Sequence, residues 1–135
     1  MNQHICKAKE IDTGEWIYGY YLIASYYLDD TVKHIIFTSD TEIYPRNEFI
    51  GWYEVDPNTV CRYTGFNDKY NMPIFENDLI EYNNCIKLVS WDEYCGMFVT
   101  TSNGLSDPLY ENVDTKNATL VGTKFDLKNR GVYNE

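Results

Sequence analysis

No segment of this chain repeats its apolar residues at the 3.6-residue period of a helix. Instead, short runs rich in β-branched and aromatic residues alternate with turn signals. That pattern restricts the fold to a mainly β architecture: a small barrel or two curved antiparallel sheets, with one or two short helical turns. Residues 15–23, "EWIYGYYLI", read as a strand with Trp16, Tyr18, Tyr20 and Leu22 on one face and Ile17, Tyr21 and Ile23, with Gly19, on the other. Both faces are apolar, so the strand is expected to be central or to line a barrel, and Gly19 suggests a bend or a close backbone approach.

A turn at Asp29-Asp30 leads into the return strand "VKHIIFTS" at 32–39. A polar segment, 39–50, follows and is broken by Pro45. Trp52 to Val55 reads as a short strand. Asp56-Pro57 has the form of an N-cap followed by proline at the first helical position, which predicts a helical turn over Pro57 to Cys61. Residues 73–83 open a second sheet region. Residues 85–101 form a hairpin with its tip near Asp92 to Gly96. Ile86, Leu88 and Ser90 share one face of its first strand; Lys87, Val89 and Trp91 share the other. Residues 102–117 are polar and hold at most one short helix; 118–127 is a last strand, and the tail after Lys128 is expected to fray. The predicted core is Trp16, Tyr18, Tyr20, Leu22, Ile35, Phe37, Tyr63, Ile74, Leu79, Ile80, Leu88, Val89, Trp91, Phe98, Leu120 and Val121.

The length of 135 residues points to a single domain over 1–135, and an apolar content of 44% suffices for a core. No apolar run approaches the ~20 residues of a membrane span, and the N-terminus lacks the apolar region of a secretory signal. A cytoplasmic protein is therefore expected. Cys6, Cys61, Cys85 and Cys95 are solitary and the only histidines are His4 and His34, so neither disulfides nor a metal site is expected. The thiols are expected to be free and mostly buried.

Four blocks stand in a specific order: "GEWIYGY" at Gly14–Tyr20, "EVDPNTV" at Glu54–Val60, "YTGFNDKYNMPIFENDLI" at Tyr63–Ile80 and "VSWDEYCGMF" at Val89–Phe98. In that order and spacing they resemble the YopX family, small mainly β proteins carried by bacteriophages and prophages. The resemblance covers most of the chain and brings with it no enzymatic activity and no catalytic residues. Where the family pattern has Asn-Gly, this chain has Tyr70-Asn71; where it has Glu-Gly-Asp, this chain has Glu76-Asn77-Asp78. Asparagine is among the residues that best tolerate positive φ. Both replacements therefore predict φ above zero at Asn71 and Asn77, and a shaped turn over 65–78 between Tyr63 and Ile74.

The remaining signal is charge. Twenty-one acidic residues against 11 basic ones give a net charge of −10, which disfavours direct binding to nucleic acid or an anionic membrane. The basic residues are scattered rather than interleaved with aromatics. Paired carboxylates for hydrolysis exist at Glu76/Asp78 and Glu54/Asp56, but such pairs are common in any acidic chain. No phosphate loop, nucleophile elbow or Cys–His pair is present. The reading is a non-enzymatic phage-type binding protein without a cofactor. It is expected to inhibit or modulate a host protein by occupying a basic, nucleic-acid-binding surface through Glu54, Glu76, Asp78, Glu81, Asp92 and Glu93. The alternatives are sequestration of a small nucleotide-type ligand by convergent cations such as Arg62, and a carboxylate-dependent hydrolase. The two apolar faces of the first strand also raise the possibility of a homo-oligomer.

Overall fold

The computed structural model describes residues 4–26, 28, 30–38, 51–114 and 117–126. The chain forms two compact units, 1–63 and 64–135. The expectations for the 39–50 segment and for the tail after Lys128 lie outside the described residues.

The first unit holds β1 (Cys6–Lys9), β2 (Trp16–Tyr26), β3 (Thr31–Thr38), β4 (Gly51–Glu54) and the start of β5 (Cys61–Asn67). Their order is β4-β3-β2-β1-β5, and every neighbouring pair is antiparallel. β1, "CKAK", is too short and too polar to be read as a strand from sequence. It forms because β2 and β5 pair with it on both sides. The turn after β4 is a single 3-10 turn over Pro57–Thr59, shorter than expected. Asp56 is its N-cap, and its Oδ1 accepts from the Asn58 N–H at 3.0 Å. Ala8, Ile17, Ile36 and Val55 make the core of this unit, with Cys6, Tyr21, Tyr53 and Val60 packed against them.

β5 continues into the second unit, where β6 (Pro73–Phe75) pairs with it and ends that sheet. The second unit then builds a five-stranded antiparallel sheet from β7 (Asp78–Tyr82), β8 (Cys85–Asp92), β9 (Met97–Ser102), β10 (Leu105–Pro108) and β11 (Thr119–Thr123), ordered β10-β9-β8-β7-β11. A short helix, α1 (Leu109–Asp114), follows β10. The hairpin tip lies where the sequence placed it, closed by Gly96 N–H donating to the Asp92 carbonyl at 2.8 Å. Ile74, Ile80, Val89, Leu109 and Ala118 are the core, flanked by Phe66, Tyr82, Phe98 and Leu120. Among the described residues each sheet ends on strands with a neighbour on one side only, so neither closes into a barrel; of the two architectures expected, the pair of sheets is the one formed.

The predicted core holds for six of its sixteen residues, five of them in the second unit. Tyr63, Ile74, Leu79, Ile80, Leu88 and Val89 are buried. On β2 the buried face is that of Ile17 and Gly19; Trp16, Tyr18 and Tyr20 are half-buried and Leu22 is exposed. On β3, Ile36 is fully buried, while Ile35 is half-buried and Phe37 exposed. Two apolar faces on one strand leave the alternation unable to say which one meets the core. Trp91 is also exposed, stacked edge-on against the half-buried Phe98 with ring centroids 4.9 Å apart. Val121 is exposed because β11 bulges: Leu120 faces Ile80 and Gly122 faces Leu79, so Val121 has no partner in the ladder. The thiols are free but not mostly buried: Cys61 is buried, Cys6 half-buried, and Cys85 and Cys95 exposed.

Candidate functional site

The loop after β5 is organised by a residue that the sequence reading passed over. Asp68 is buried, and its Oδ1 accepts from the N–H groups of Tyr70 at 2.8 Å and Met72 at 2.9 Å. Its Oδ2 accepts from the Leu120 N–H at 2.9 Å, tying the loop to β11. An aspartate two residues ahead of a turn N–H is a recognisable local signal. The bond to Leu120, 52 residues away, has no local trace.

Within this loop Asn71 has φ of 65°, and in the next turn Asn77 has φ of 71°, as the glycine replacements required. Asn77 N–H donates to the Val89 carbonyl at 2.8 Å, and its own carbonyl accepts from Lys124 N–H at 3.0 Å. These are backbone bonds that depend on the φ at Asn77. Asn71→Gly is expected to leave stability nearly unchanged, while Asn71→Val should cost ~1–2 kcal/mol in urea unfolding, through strain in the left-handed region.

The six carboxylates separate by burial. Asp78 is 1% exposed, and its Oδ2 accepts from the Phe75 N–H at 2.7 Å; it closes the β6–β7 turn and presents no charge to solvent. Asp92 is half-buried, and its Oδ1 accepts from the N–H groups of Tyr94 at 2.9 Å and Cys95 at 3.2 Å. It therefore shapes the hairpin tip. Glu76 is half-buried, while Glu81 and Glu93 are exposed, all three on the second unit. Glu54 is half-buried on β4 of the first unit. Both carboxylate pairs weighed for hydrolysis have one member committed to the backbone, Asp78 in one and Asp56 in the other. Among the described residues no group of three or more His, Cys, Asp and Glu could hold a metal ion. No helix among them is long and apolar enough to cross a membrane.

The first unit presents a second surface that the sequence reading had assigned to the core. The strand registers set Leu22 beside Ile35 and Glu54, Tyr20 beside Phe37 and Trp52, and Ala24 beside Lys33. Cross-strand partners share a face, so these side chains lie together on one side of β2-β3-β4. Ala24, Lys33, Ile35, Phe37 and Trp52 line an open groove of about 120 Å³ there. Arg62 is exposed and does not line it. On the opposite face the Tyr21 hydroxyl lies 2.5 Å from His34 Nδ1, with the two rings stacked 5.9 Å apart. Burial, with a smaller contribution from Cys6, pushes the Tyr21 phenol above its usual range; burial does the same for Tyr63.

Among curated proteins none matches the chain. The model of the YopX protein family matches residues 10–127. That span takes in all four sequence blocks, the asparagine turns at positive φ and every strand except β1, and the chain belongs to the YopX family.

Proposed function

We propose that this protein is a non-enzymatic, phage-type binding protein that modulates a host protein by offering negative charge to a basic surface. The observation that carries the reading is the net charge of −10, with Glu81 and Glu93 left exposed on the second unit. Exposed carboxylates, here Glu81 on β7 and Glu93 in the β8–β9 turn, steer encounter with a basic groove and set its salt dependence. Asp78 and Asp92 hold turns together and are removed from the contact set. Nucleotide sequestration ranks second, since it calls for convergent cations and the groove of the first unit contributes one, Lys33.

Capture of partners from host lysate by the tagged protein, at low and high salt, followed by mass spectrometry, tests this. The partner should be lost as salt rises, because surface charges are screened beyond roughly 8 Å at physiological ionic strength. Glu81→Lys combined with Glu93→Lys should slow association more than it speeds dissociation, and should change stability by no more than ~1 kcal/mol. A partner held equally well in high salt, or indifferent to the double reversal, removes the charge-based reading.

A further inference from the structure

We infer that the exposed face of β2-β3-β4 is an interface between two copies of this chain. Leu22, Phe37 and Trp52 are 43%, 40% and 55% exposed there, Phe37 opposite Trp52 and Leu22 diagonal to Phe37 on the same face. A contiguous apolar and aromatic patch on a sheet is the usual centre of a protein contact, and tryptophan is the side chain most enriched at its energetic core. Charge selects the occupant. Lys33 lies two positions along β3 from Ile35, and Glu54 lies opposite Ile35 on β4, so among the described residues of these three strands the face carries one cation and one anion, diagonal to each other at one end of the apolar row. Neither makes an ion pair within the described residues.

A basic partner would leave Lys33 facing like charge, and an acidic partner would do the same to Glu54. A second copy related by a two-fold axis satisfies both, because Lys33 meets the partner's Glu54 while Glu54 meets the partner's Lys33. Lys33 and Glu54 add no net charge to such an interface, which helps a chain of net charge −10 to associate with itself.

Sedimentation equilibrium of the purified chain over a concentration series tests this. A monomer–dimer equilibrium is expected, with Trp52→Ala raising the dimer dissociation constant about tenfold or more. Lys33→Glu and Glu54→Lys should each weaken the dimer, and the double variant K33E/E54K should recover most of what either single change loses. Circular dichroism checks that each variant stays folded, as substitutions at solvent-accessible positions should. A chain that is monomeric at every concentration overturns the inference. So does a dimer insensitive to Trp52→Ala, or charge reversals whose combination restores nothing. Partner capture through Glu81 and Glu93 is read separately, so failure of one result leaves the other standing.

Discussion

Gly19→Ala is expected to destabilise the protein by on the order of 3 kcal/mol, at the upper end of the cost of overpacking a close-packed site. A Cβ at this position would fall on the carbonyl oxygen of Phe37 in the neighbouring strand, and would lie 2.9 Å from Ile36 Cγ2. Ile36 is fully buried in the core of the first unit, so its side chain cannot simply swing away. Relief would require β3 to move, yet β3 is held between β2 and β4. Urea unfolding measures the effect as a fall in the midpoint. An alanine variant within about 0.5 kcal/mol of the parent would show that β2 and β3 can separate freely at this point. Valine should be worse than alanine, since it adds two further methyl groups to the same space.

Asp68→Ala is the second large effect, at about 3 kcal/mol. The substitution strips the acceptor from three backbone N–H groups at once, those of Tyr70, Met72 and Leu120. Each hydrogen bond to a charged group contributes roughly 1.5–3 kcal/mol, and bonds sharing one carboxylate are not additive. Asp68→Asn keeps one acceptor oxygen and should cost about half as much. Amide hydrogen exchange separates the two halves of the role. The Leu120 N–H should lose protection in both variants if the amide oxygen turns towards the loop. In the asparagine variant, Tyr70 and Met72 should then keep most of theirs. Unchanged protection at Leu120 in the alanine variant would mean that the loop is not tied to β11 through Asp68.

The two effects share a cause. Each concerns a place where the chain comes close to a segment distant in sequence: Gly19 against Phe37, and Asp68 against Leu120. Both lie within the sequence blocks that resemble the family, Gly19 in Gly14–Tyr20 and Asp68 in Tyr63–Ile80. The exposed side chains on which the proposed contacts rest lie elsewhere, Glu81 and Glu93 on the second unit and Trp52 on the first.

What the sequence determined alone is local. Asparagine in the place of glycine required positive φ at Asn71 and Asn77; Asp56 before Pro57 specified a capped turn; a five-residue segment ending in Gly96 set the β8–β9 tip. Each rests on the conformational preferences of one to five neighbouring residues, which act whatever the rest of the chain does. The choice of buried face on β2 was different. Its alternation offers two apolar faces, and only the strands and side chains brought against one of them made Ile17 core and left Leu22 to solvent. The same holds for the carboxylates. Asp78 and Glu81 look alike in the sequence, but the first is buried against the Phe75 N–H and the second stands in water. A carboxylate's role depends on whether a backbone donor replaces the water it loses, and that donor is supplied by the fold.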